Sequence, residues 1–193
     1  MFFMGAAVLA AGGCSSDDDS QGGGSSGSGG GSGVHVSVGG VDATLGHVYW
    51  LAESGADGEN FYEVEFFSYD FYGIIQSGDY SRLPSLFSSV YISFMAPGSL
   101  SELPVCTIPA GDYEVSGGLN CSKANPEGEC YVEEGPSSGS LVISRSGGNY
   151  TVTISRLELI YSAPESVGAG NWQSAMTQWH YSGAIRKAPS IDR

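Results

Sequence analysis

The sequence predicts an all-β fold, an antiparallel β-sandwich of about eight to ten strands. Three observations predict it. Apolar residues recur at every second position through most of the chain after residue 33, as in Val34-His35-Val36-Ser37-Val38 and Trp179-His180-Tyr181-Ser182-Gly183. Clusters of Gly, Pro, Asn and Ser interrupt these runs roughly every dozen residues. No segment of helical length carries an apolar period of 3.6. Strands of unequal length and one long loop favour a sandwich, and a lipocalin- or calycin-like barrel is the alternative.

The first strand is Val34–Val38, closed by Gly39-Gly40, and Gly46–Leu51 is the second, closed by a loop over 54–58. Asn60–Tyr69 alternates more clearly, with Tyr62, Val64 and Phe66 on one face and Glu63, Glu65 and Phe67 on the other. Phe71–Gln76 continues that strand or forms another past a bulge near Asp70; residues 77–88 are turn-rich. Ser89–Ala96 follows with Val90, Ile92 and Phe94 inward. Ile108-Pro109-Ala110-Gly111 suits a type I turn before extended structure at Asp112–Ser116. The sharpest local signal is the hairpin over 139–155. Leu141 and Ile143 face inward on one arm, Tyr150, Val152 and Ile154 on the other, and Gly147-Gly148 supply the positive φ of a tight turn. Leu157, Leu159 and Tyr161 extend the second arm, and a polar loop over 162–175 leads to a last strand with Trp179, Tyr181, Gly183 and Ile185 in phase. From Lys187 the tail is expected to be loose.

The formal net charge is −14, with Lys and Arg numbering 7 against 21 Asp and Glu. Such a field repels phosphate backbones, so nucleic acid is excluded as a partner and acidity is read as a solubility device. Residues 34–193 are enough for one domain with its own core.

Residues 1–13 form an apolar run ending in small side chains, far shorter than the roughly 20 residues a bilayer span needs. They read as a signal peptide. The run lacks the usual opening Lys or Arg, as expected if the true start lies upstream. Its end, Ala11-Gly12-Gly13-Cys14, resembles the lipobox of bacterial lipoproteins, with Ala11 where that family usually has Leu. The resemblance implies cleavage before Cys14, a diacylglycerol thioether on its sulfur and an acylated amine, hence a lipid anchor in the membrane. Residues 15–33 hold no apolar side chain. With Cys14 they read as a lipidated acidic Gly/Ser tether, its coil spanning roughly 25 Å. Ser15-Ser16-Asp17-Asp18-Asp19 resembles the acidic signal that sends Bacteroidota lipoproteins to the outer face of the outer membrane.

The strings over 141–154 and 181–185, with Pro109-Ala110-Gly111-Asp112-Tyr113, resemble the C-terminal β-sandwich of uncharacterised Bacteroidota-type surface lipoproteins. That family joins its last two strands by a short turn, whereas the loop here is longer and carries Trp172. The resemblance implies a fold and an address rather than a reaction.

The chemistry-bearing residues are sparse. With Cys14 lipidated, Cys106, Cys121 and Cys130 remain, and the expected bridge is Cys121–Cys130, closing the intervening loop. His35, His47 and His180 sit singly on strands with no zinc-ligand spacing, and no metal or cofactor is expected. Glu63 and Glu65 lie on one strand face, read as outward charge on an exposed strand. No nucleophile motif is present, so the protein is expected not to be an enzyme. Trp172, Tyr161, Tyr69 and Tyr72 are candidate flat platforms for sugar rings, while Trp50 and Trp179 read as core. The expected role is a cell-surface binding domain for a glycan or another envelope component. The alternative is a structural or accessory subunit of an outer-membrane assembly.

Overall fold

The computed structural model describes residues 33–38, 40–122, 130–135, 138–162 and 173–189. Among these the fold is all-β. The strands are β1 Val34–Val38, β2 Val41–Leu45, β3 His47–Ser54, β4 Asn60–Phe67, β5 Phe87–Ala96, β6 Cys106–Ile108, β7 Tyr113–Cys121, β8 Cys130–Glu134, β9 Leu141–Ser146, β10 Asn149–Ser162, β11 Gln173–Gly183 and β12 Arg186–Lys187. One short helix, α1 Phe71–Ser77, lies between β4 and β5, followed by a 3-10 turn over Tyr80–Arg82. No helix among the described residues is long and apolar enough to cross a membrane.

β1 and β2 pair as a separate hairpin. The large sheet runs β12-β3-β4-β5-β7-β8-β10, and long β10 carries β8 and β9 in line on one edge and β11 along the other. β6 extends the sheet beyond β9. This sheet curls back on itself: Phe66 on β4 meets Trp179 and Tyr181 on β11 edge-on, with ring centroids 4.8 and 5.6 Å apart. Val34, Val36, Val38 and Leu45 of the small hairpin are buried in the same core, so it forms the second layer over the concave side.

The alternation read from sequence is what fills that interior. Tyr62, Val64 and Phe66, then Val90, Ile92 and Phe94, are buried from neighbouring strands. In the 141–154 hairpin Leu141, Ile143, Tyr150, Val152 and Ile154 are all buried, and Gly147, but not Gly148 as also expected, takes a positive φ (59°) at the two-residue turn. Leu157 and Leu159 extend the buried face after a bulge. Trp50 and Trp179 are both core.

Four further expectations need correction. Phe71–Gln76 is helical rather than extended. The Asp70 carboxylate caps it by accepting from Gly73 N at 3.1 Å, and Gly78 ends it with φ 66°. The turn before β7 is Pro109–Asp112, closed by Asp112 N to Pro109 O at 3.2 Å, with Gly111 third at φ 88° as a type II turn requires. The chain at Lys187 is not loose: β12 pairs in parallel with Tyr49-Trp50 of β3, and the Lys187 ammonium lies 5.1 Å from the Trp50 ring centroid. Finally, Glu65 is buried, 5% exposed, because α1 lies over the outer face of β3 and β4.

Candidate functional site

The segment Phe66-Phe67-Ser68-Tyr69-Asp70-Phe71-Tyr72 makes the junction of β4 with α1 and distributes its rings to several places. Phe66 points into the main core, while Phe67 and Tyr72 form a second apolar cluster on the outer face with Tyr49. Tyr69, Phe71 and Tyr91 pack against that cluster. Phe67 stacks on Phe71 at 4.8 Å and meets Tyr91 edge-on at 5.9 Å. Burial, and then the Glu65 carboxylate beside it, raises the Tyr72 hydroxyl above the usual tyrosine range. This ridge separates two grooves.

The first groove, about 290 Å³, lies between β2, the ridge and a bulge on β7. The ladder pairs Phe87 with Cys121 but Ser89 with Gly118, so two β7 residues, Leu119 and Asn120, oppose Ser88 alone. Asn120 takes φ 52° there, a left-handed conformation that Asn tolerates better than most residues. The bulge is pinned to the ridge through Ser88, whose Oγ accepts from Asn120 N at 3.0 Å and whose N donates to Ser68 Oγ at 2.9 Å. Asp42, Thr44, Tyr69, Phe87 and Asn120 line the groove, and Tyr69 and Phe87 meet edge-on at 5.7 Å. Leu86, also lining it, is 52% exposed. Aromatic surface, hydroxyls, an amide and one carboxylate therefore share one concavity, at the small end of the range for ligand sites. Burial, with the nearby Cys121, pushes the Tyr69 hydroxyl up to about 12, so it stays protonated at neutral pH.

The second groove, about 200 Å³, lies across the ridge and is lined by Tyr49, Asp70, Tyr72, Gln76, Arg186 and Lys187 among others. The Tyr49 hydroxyl donates to Asp70 Oδ1 at 2.5 Å, and the same oxygen accepts from Gly73 N. Burial and the Asp70 contact push Tyr49 up to about 12; the Tyr49 hydrogen bond, with smaller contributions from Gly73, His47 and Arg186, lowers Asp70.

Of the sequence-derived candidates, Tyr69 lines the first groove and Tyr72 the second. Tyr161 joins neither. It sits in phase with Leu157 and Leu159, packs against the main core and donates to Gln173 Oε1 at 2.8 Å. Trp172 and Cys14 lie outside the described residues. The expected Cys121–Cys130 bridge involves the Cys130 side chain, which lies outside the described residues; Cys121 is a buried thiol, raised to about 11 by burial, and the ladder sets Cys130 opposite Leu119. Cys106 is a half-buried thiol on β6, also raised by burial.

Sequence reasoning missed Asp42, Phe87 and Asn120. The signal that marks the bulge is the pair Gly117-Gly118 inside an extended run, since glycine within a strand points to a bulge. Among the described residues no three His, Cys, Asp or Glu side chains converge as a metal site. Comparison of the chain with protein-family models, curated proteins and solved structures finds no match.

Proposed function

We propose that this chain is a lipid-anchored protein of the outer membrane, displayed at the cell surface, whose β domain binds carbohydrate without transforming it. The observation that carries the binding role is the first groove, where Tyr69 and Phe87 stand beside Asp42, Asn120, Ser68 and Ser88. Ring surfaces cover the CH faces of a pyranose, and the polar groups exchange hydrogen bonds with its hydroxyls. Among the described residues of that lining Asp42 is the one carboxylate, whereas glycoside hydrolysis uses two. Cys14 and the Gly/Ser tether after it support the address, because acyl chains would hold the domain at the membrane on a flexible spacer.

A glycan array probed with the full chain tests this reading. Binding to at least one glycan class is expected, weakened about tenfold by Tyr69→Ala through loss of about 1.4 kcal/mol of ring contact. No binding to any glycan, or a Tyr69→Ala variant identical to the parent, contradicts it.

A further inference from the structure

The second groove contains a cation that makes no ion pair among the described residues. β12 pairs in parallel with β3, Arg186 opposite Tyr49 and Lys187 opposite Trp50, so the two basic side chains leave the sheet on opposite faces. Lys187 is spent on its own side: it lies over Trp50 and donates to Leu100 O at 2.5 Å. Arg186 is exposed on the outer side, donates a hydrogen bond to the Tyr49 hydroxyl and lies near enough to Asp70 to lower its pKa as well as that of Tyr49. It makes no ion pair among the described residues, where the pairs are His35–Asp42 and Arg145–Glu102. In a chain of net charge −14, an arginine without a carboxylate partner at the mouth of a groove is conspicuous. Asp70, whose Oδ1 takes both the Tyr49 hydroxyl and the Gly73 amide, acts on Arg186 through its charge without closing an ion pair.

We propose that the second groove is a carboxylate-binding site, in which the Arg186 guanidinium pairs with the carboxylate of a uronic acid residue. The guanidinium fork matches a carboxylate in two parallel N–H···O bonds. Gln76 stands at the same groove as an exposed amide able to bond a ring hydroxyl. The uronic acid part rests on the carbohydrate reading of the first groove; the carboxylate part does not. Asp70 repels the incoming anion, so the ligand lies on the side of Arg186 away from it.

The test is an NMR titration of the full chain with glucuronate and, separately, with glucose. Glucuronate is expected to shift the Gly73 amide and the Gln76 side-chain amide. Arg186→Gln should weaken that response about tenfold or more, Arg186→Lys should keep part of it, and Asp70→Asn, which retains a capping side chain, should tighten it. Glucose is expected to move Ser88 and Asn120 instead, so the two grooves report separately and failure at one is distinguishable from failure at the other. Unmoved Gly73 and Gln76 signals with glucuronate, or an equal response from a folded Arg186→Gln variant, overturn the assignment.

Discussion

Phe66 on β4 and Trp179 on β11 meet edge to face with their centroids 4.8 Å apart and their planes at 83°. Along the sheet β5, β7, β8 and β10 lie between these two strands. The contact therefore reports the curl of the whole sheet and not a local pairing. Trp179 is fully buried, and its removal leaves a large void that the β1–β2 layer cannot follow inward without losing its own packing. Trp179→Ala is expected to cost about 3–5 kcal/mol in urea unfolding, while Trp179→Phe keeps the edge-on ring and costs less.

The Tyr49–Asp70 bond ties α1 to the sheet, and Gly73 shows how little room that link has. A Cβ at Gly73 would stand 2.1 Å from Asp70 Oδ2, whereas one at Gly148 meets nothing within 4 Å. Gly73→Ala should displace Asp70, break both of its hydrogen bonds and cost about 1–3 kcal/mol. Gly148→Ala should stay within about 0.5 kcal/mol. Denaturant titration of both variants checks the contrast.

Glu134 on β8 gives the domain a pH dependence. Burial raises its carboxyl from 4.5 to about 7, against the lowering effect of the Tyr113 and Ser138 hydroxyls, and the Glu114 charge adds to the rise. Its Oε2 is buried and has no hydrogen-bond partner among the described residues. A folded pKa above the unfolded one means the folded state holds the proton more tightly. The stabilising contribution is complete below about pH 4.5 and is lost as pH rises through 7. Glu134→Gln, neutral at every pH, should match the parent near pH 5 and exceed its Tm by about 2–4 °C at pH 8.

Asp70 carries the opposite sign. Its carboxyl is lowered by the Tyr49 hydrogen bond, so its contribution is present above the unfolded value of 3.8 and is lost as pH falls through the folded one. Tyr49→Phe should narrow the stability loss between pH 5 and pH 2, as read by thermal melts across that range.

What was legible in the sequence is what local alternation and turn chemistry determine. The 141–154 hairpin carries its register in Gly147-Gly148 and its inward face in Leu141, Ile143, Val152 and Ile154, all of which act within a few residues. The rest depends on distant partners. α1 is seven residues, fewer than two full turns, too short for a period to show. Its presence turns Glu65 from an outward charge into a buried one, which no pattern within β4 announces. Arg186-Lys187 pairs with a strand nearly 140 positions earlier, and short β6 and β8 are strands because β9, β7 and β10 offer them edges. The first groove draws on β2, the ridge and β7 at once, so a linear reading found Tyr69 and missed Asn120.

The functional account depends first on where the chain is held. Metabolic labelling with radioactive palmitate, comparing the parent with Cys14→Ser, tests that most directly. The account predicts label on the mature parent protein and none on an unprocessed Cys14→Ser product released from the outer membrane. An unlabelled parent, or a Cys14→Ser protein labelled and retained as before, contradicts it.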